Sequence, residues 1–156
     1  MANKRVYLFG TCLIDVFYPQ AGLDAISLLK ICGYDACFPP EQTCCGQPPY
    51  NSGHASHAID IAQKTVSLFS REEIPLVVPS ASCAGMIKHH YPSLLASRPQ
   101  AHDAAIALAS RTFELLDFII DKLPYDKQIA SSPTTVSLHE SCCAQREMQV
   151  SRSWRA

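Results

Sequence analysis

Long apolar runs are missing from this sequence. None approaches the roughly 18–20 residues that a bilayer-spanning helix needs, so the chain reads as having no transmembrane segment. A dominant charge is missing too. Thirteen Lys and Arg against 14 Asp and Glu leave a formal net charge of −1, which removes the electrostatic case for a nucleic-acid partner. No Gly-x-Gly-x-x-Gly and no P-loop follows a strand-like run, so a nucleotide cofactor finds no support. There is no Gly-x-Ser-x-Gly elbow, and no cysteine has an evident His and Asn partner set, which argues against a hydrolase. The opening Met1-Ala2-Asn3-Lys4-Arg5 leads straight into a strand-like run, Val6 to Gly10, without the apolar stretch and cleavage site of a signal peptide. The protein therefore reads as cytoplasmic.

Cysteine, by contrast, is abundant. Eight cysteines in 156 residues are more than a cytoplasmic chain needs for packing. With 47% hydrophobic residues the chain can build an ordinary core, so it has no need of disulfide staples. Cysteine richness in that setting points to metal binding or redox chemistry. Cys32 and Cys37 suit plain buried positions, whereas the adjacent pairs Cys44-Cys45 and Cys142-Cys143 do not. The run of closely spaced cysteines found in ferredoxins is absent.

The pattern alternates between strand and helix. Val6 to Phe9 predicts a strand, and Leu23, Ile26 and Leu29/Lys30 recur at helical spacing before Gly33, a helix-ending glycine. Tyr34 to Phe38 predicts a second strand, stopped by Pro39-Pro40. After a turn-rich loop over Glu41 to Gly53, Ala58, Ala62, Val66 and Phe69 mark one helical face. Ile74 to Val78 predicts a buried strand, with Cys83 at the start of the next helix. Ile106, Ala109, Phe113, Leu116, Ile120 and Leu123 form the longest amphipathic stripe, ended by Pro124. Thr134 to Leu138 predicts a last strand. This is the signature of an α/β fold: a parallel sheet flanked by helices, a Rossmann-like three-layer arrangement in one domain. In such sheets ligands bind beyond the carboxyl ends of the strands. Cys12, Cys44, Cys45, Cys83 and Cys142 all follow predicted strands, so one topological rule brings them to one edge. Thiolates are soft donors that suit iron–sulfur clusters and zinc alike, and Gly46 would let the chain turn closely around such a group.

Four segments carry a family resemblance: Tyr7-Leu-Phe-Gly-Thr-Cys-Leu-Ile-Asp15, Thr43-Cys-Cys-Gly-Gln-Pro-Pro-Tyr-Asn-Ser-Gly53, Pro79-Ser-Ala-Ser-Cys-Ala-Gly-Met-Ile-Lys88 and Leu138-His-Glu-Ser-Cys142. In this order they resemble the lactate utilization protein A family. Its wider superfamily includes the cysteine-rich subunit of heterodisulfide reductase and the iron–sulfur subunits of glycolate oxidase and anaerobic glycerol-3-phosphate dehydrogenase. The resemblance covers residues 1–147, a first CCG repeat and the start of a second. It leaves 148–156 as a tail without family character, such as truncation or a frameshift would produce.

The resemblance implies an oxidoreductase component rather than a complete enzyme. That component would be an iron–sulfur electron-transfer subunit working with other subunits of a complex that oxidises L-lactate or a related 2-hydroxy acid. It implies cluster ligation by Cys12, Cys44, Cys45 and Cys83, with Gly46 beside them and Cys142 as a further candidate. Met86 stands where a related pattern has a fifth cysteine, which favours an ordinary four-iron cluster over a five-cysteine one. The second CCG is absent. From these departures follow three expectations: apo protein when purified in air, self-association into a homo-oligomer, and as alternative functions a zinc-binding or metal-free interaction module, or a thiol sensor using Cys44-Cys45 or Cys142-Cys143. Among the six histidines, His54 and His57 suit a solvated helix start near the CCG loop, His89-His90 a helix surface, and His139 a support for Cys142.

Overall fold

Two-residue alternation along the first strand sorts the domain into layers. In β1 (Lys4–Leu8), Val6 and Leu8 point to one side, while Tyr7 and the following Phe9 point to the other. The computed structural model describes residues 4–123, 135, 137 and 139–150. Its sheet has four strands, all parallel, in the order β2–β1–β3–β4, with β2 at Tyr34–Cys37, β3 at Leu76–Val78 and β4 at Thr112–Glu114. Val6 pairs with Ala36, Tyr7 with Leu76, and Val77 with Phe113. β3 is Leu-Val-Val and wholly buried, as expected of a strand covered on both faces.

Helices cover both faces of this sheet. On one side Tyr7, Phe9, Leu76 and Val78 pack against α4 (Ala55–Phe69), a helix running through α5 (Ala81–Gly85), a π-helical turn (Met86–His90) and α6 (Tyr91–Leu94), and α7 (Pro99–Ser110). Phe69 anchors this layer, edge-on to Tyr7 with ring centroids 5.1 Å apart. On the other side Val6, Leu8 and Val77 meet α2 (Pro19–Ile31) and α8 (Leu115–Ile119). The three-layer α/β expectation is therefore met. Gly33 (φ +82°) ends α2 in the left-handed conformation that glycine adopts without penalty. The helix face predicted at Ala58, Ala62, Val66 and Phe69 is buried throughout.

Two sequence expectations change. The stripe from Ile106 to Leu123 is not one helix. α7 ends at Ser110, and Thr112–Glu114 pair with β3 before α8 begins. The free edge of β3 would otherwise leave buried backbone groups unpaired, and this outweighs a helical period that Thr112 and Phe113 also happen to satisfy. The buried Glu114 carboxylate then caps α8, accepting from the Leu116 and Asp117 amides at 2.8 and 3.1 Å. In α2 the buried pair is Ala25 and Leu29, while Leu23 and Ile26 remain exposed. Residues four apart lie on one face, and here that face is the one turned to Val6 and Leu8. Of the strand expected over Thr134 to Leu138, residues 134, 136 and 138 lie outside the described residues, and 135 and 137 are not in a strand. No helix among the described residues is long and apolar enough to cross a membrane.

Candidate functional site

Three loops leave the carboxyl ends of adjacent strands and carry the cysteines singled out by sequence. After β1, Thr11 caps α1 (Cys12–Phe17), its hydroxyl accepting from the Ile14 amide at 3.3 Å, so Cys12 is the first helical residue. After β2, Pro39-Pro40 turns the chain into the loop holding Cys44 and Cys45. Gly46 ends that loop at φ +80° and starts α3 (Gln47–Asn51). A Cβ at Gly46 would lie 3.2 Å from Ile61 Cγ2, so this glycine is required both by its backbone angle and by close packing. After β3, Pro79-Ser80 leads into α5, which carries Cys83 in its first turn, 7% exposed.

Two of these cysteines are in direct contact. The Cys45 thiol donates to Cys83 Sγ at 3.3 Å, and both are buried. This hydrogen bond, with others from the Ser80 and Ser82 hydroxyls, pulls the Cys83 thiol down to about 7 against the opposing effect of burial. Cys45, the donor, is pushed well up by the same bond and by its own burial. Cys12, at the surface, is raised by partial burial and by the nearby Cys44 and Cys83. Cys44 Sγ accepts from the Gly46 amide at 3.5 Å. Four soft donors from three strand ends thus lie within electrostatic reach of one another. That chemistry is compatible with a metal or a cluster, with Cys83 already poised toward thiolate. Among the described residues no group of three or more His, Cys, Asp or Glu side chains stands assembled around a single point suited to one metal ion.

Two residues that sequence reasoning passed over hold the loops together. Tyr91, wholly buried, donates its hydroxyl to the Cys45 carbonyl at 2.8 Å and so fastens the CCG loop to the helix that carries Cys83. Its position eight residues after Cys83 is the one sequence signal that could have marked it, as two turns of a helix return to the same face. Gln42 accepts from the Gly10 amide at 2.7 Å and donates to the Leu8 carbonyl at 3.5 Å, joining the second loop to the first. Replacing Tyr91 by Phe leaves the buried Cys45 carbonyl without this donor. A loss of about 1–3 kcal/mol in unfolding free energy is expected, with the far-UV spectrum unchanged. A variant as stable as the parent in urea titration would show that the tether contributes nothing.

The remaining candidates lie elsewhere. Met86 is wholly buried in the core beside Cys45 and Cys83 and acts there as a packing residue. Cys142 is exposed, and no hydrogen bond joins it to the other four cysteines among the described residues. Its neighbour Cys143 is half-buried, raised by burial and by Glu147. The π-helical turn Cys143–Glu147 rests against α5, with Ala144 and Val150 packed on Ala81. Cys37 accepts two hydrogen bonds from Arg5, at 3.1 and 3.3 Å, and lies with Cys32 outside the cluster. His54 and His57 are exposed at the start of α4, as their sequence context suggested. His89 is exposed, whereas His90 meets the Tyr50 hydroxyl at 3.2 Å and lies 3.9 Å from Glu147. His139 is exposed.

Residues 6–88 match the family described as CCG, cysteine-rich domain. Among curated proteins, the chain is 37% identical over 146 residues to lactate utilization protein A 2 of Bacillus cereus (strain 03BB102), covering 94% of this chain and 60% of that protein. It stands at the same level with lactate utilization protein A 1 of Bacillus anthracis (strain CDC 684 / NRRL 3495). With lactate utilization protein A of Geobacillus thermodenitrificans (strain NG80-2) it is 39% identical over 138 residues, covering 88% of this chain and 57% of the relative. The chain thus spans about 60% of the length of the curated relatives it matches. No solved structure matches it.

Proposed function

Because the chain belongs to the CCG cysteine-rich domain family, we propose that it is an iron–sulfur electron-transfer component in the oxidation of L-lactate or a related 2-hydroxy acid. The observation that supports this reading is that four cysteines follow three strand ends at one edge of the sheet, with Cys45 and Cys83 3.3 Å apart and a left-handed glycine directly after Cys44-Cys45. Cys12, Cys44, Cys45 and Cys83 would hold the cluster, and Gly46 would keep the backbone close to it. A four-iron cluster in such a site supplies one-electron transfer. The chain's own residues supply the rest: Ser80 and Ser82 stabilise the thiolate of Cys83, and Tyr91 and Gln42 fix the loops. Residues 1–147 would form this unit. Substrate chemistry and onward electron transfer would fall to partner subunits, since the described residues show no substrate-binding group beside the cysteines. The names of the three relatives given above, lactate utilization proteins A, support the choice of substrate class.

Iron, acid-labile sulfide and zinc should be measured after anaerobic purification of the chain and of its Cys44→Ser variant. Stoichiometric iron and sulfide in the parent, reduced several-fold in the variant, is the expected result. Stoichiometric zinc in cells supplied with iron, with stability lost on chelation, would replace this reading with a zinc-stabilised module.

A further inference from the structure

Sequence neighbours suggest two thiol-sensor pairs, Cys44-Cys45 and Cys142-Cys143. The fold partners Cys45 differently. Its sulfur lies 3.3 Å from that of Cys83, 38 residues along the chain. Cys44, the chain neighbour, is only half-buried, and its sulfur accepts from the Gly46 amide instead. A bond between adjacent cysteines strains the chain, whereas two cysteines brought together from separate loops are free of that constraint.

The pair is held from both sides. Tyr91 reaches from the helix that carries Cys83 and donates its hydroxyl to the Cys45 carbonyl at 2.8 Å. Gly46, in the left-handed conformation and close against Ile61, fixes the other flank of the CCG loop. Ala84, Met86 and Ile87 belong to the same buried cluster as the two sulfurs. Cys45 is 2% exposed and Cys83 7%. Thiols so deeply placed do not meet the thiols of another chain, so oxidation here favours an internal bridge over a dimer. Cys83 is the more accessible of the two to a reagent as small as hydrogen peroxide.

With a peroxide as oxidant the chemistry balances. The Cys83 sulfur attacks one peroxide oxygen, the O–O bond breaks, and the departing hydroxide takes up the thiol proton to leave as water. The Cys45 sulfur then attacks the sulfenic acid formed on Cys83. The S–S bond forms, the S–O bond breaks, and the hydroxyl leaves with the Cys45 proton as a second water. Two thiols lose two electrons, and one hydrogen peroxide is reduced to two waters.

We propose that Cys45 and Cys83 form a reversible disulfide in the metal-free chain, and that this bridge shuts the site to iron until a dithiol reductant reopens it. A disulfide sulfur has lost the thiolate charge that makes cysteine a ligand. The bridge itself stands on the placement of the two sulfurs. Its effect on iron rests on the proposed function, and the two can fail separately.

The test uses the full chain, reduced, stripped of metal by a chelator and treated with one equivalent of hydrogen peroxide in the absence of air. Titratable thiols should fall by two from the eight of the reduced chain. Peptide mapping without reduction should recover Cys45 joined to Cys83 within one chain. Cys44→Ser should keep the bridge, and Cys45→Ser should lose it and leave Cys83 to oxidise onward to sulfinic acid. Mapping of the parent decides the matter whether or not these variants fold. A bridge made by Cys12 or Cys44 in place of this pair, a bridge between chains, or no bridge at all overturns the proposal. Iron and sulfide are then supplied anaerobically to the bridged and the reduced forms. The bridged form is expected to take up at least tenfold less iron and to recover after dithiothreitol. Equal uptake by the two forms overturns the gating. A reduced chain that takes up no iron yet closes the bridge would refute the cluster and leave the disulfide standing.

Discussion

Serine in place of Cys83 should strip the protein of iron and sulfide while leaving it folded. The thiol at this position is the acceptor of the Cys45 hydrogen bond, and the Ser80 and Ser82 hydroxyls help to lower its pKa. A serine hydroxyl can accept from the same donors, so the desolvation cost of the change is held to about 1 kcal/mol. What it cannot do is act as a soft, anionic ligand near neutral pH. Iron per chain is therefore expected to fall to background in the anaerobically purified variant. Cys37→Ser is the matched control, because the Cys37 thiol accepts two hydrogen bonds from Arg5 and makes none with the four candidate cysteines. Equal iron loss in both variants would mean that cysteines bind iron adventitiously, and equal retention would remove Cys83 from the ligand set.

Alanine at Gly46 should destabilise the fold and loosen the CCG loop at once. Three glycines share nearly the same left-handed angle: Gly33 at φ +82°, Gly46 at +80° and Gly53 at +79°. An L-residue in that region costs about 1–2 kcal/mol wherever it stands. At Gly53 nothing lies within 4 Å of the added Cβ, whereas at Gly46 Ile61 Cγ2 is 3.2 Å away and must give. Gly53→Ala therefore measures the backbone cost alone, and Gly46→Ala adds the packing cost. For a chain of this size each kcal/mol is worth about 2–4 °C in Tm, so Gly46→Ala is expected to melt about 4–10 °C below the parent, and further below it than Gly53→Ala. Iron content should fall at Gly46→Ala and hold at Gly53→Ala. Identical melting of the two variants would show that Ile61 yields freely.

The site was readable in sequence to the extent that it depends on strand order. Cys12, Cys44 and Cys83 each follow a short hydrophobic run ended by a turn residue, and parallel strands deliver such residues to one edge. Gly33 and Pro39-Pro40 marked boundaries through backbone chemistry that is local, and local chemistry survives folding unchanged. The failures share the opposite character. Thr112, Phe113 and Glu114 fit a helical stripe, and only the open edge of β3, distant in sequence, makes them a strand. Of the stripe Leu23, Ile26 and Leu29 expected in α2, Leu29 is buried, but it shares its face with Ala25, four residues before it, while Leu23 and Ile26 turn away from Val6 and Leu8. Tyr91 and Gln42 act through hydrogen bonds to backbone groups 46 and 32 or 34 residues away, which no periodicity reports.

The sheet order β2–β1–β3–β4 puts the strand made first at the centre. During synthesis β1 can zip to β2 soon after residue 37 has left the ribosome, but its other edge stays open until β3, ending at Val78, has followed. The buried sulfur pair joins positions 38 apart, so it forms only once Cys83 is available. Through that interval Cys12, Cys44 and Cys45 are reactive thiols on an unfinished chain, open to oxidation and to stray metal ions. Under the proposed function, delivery of a cluster to a chain built this way would be a late event, gated by the translation of its third strand.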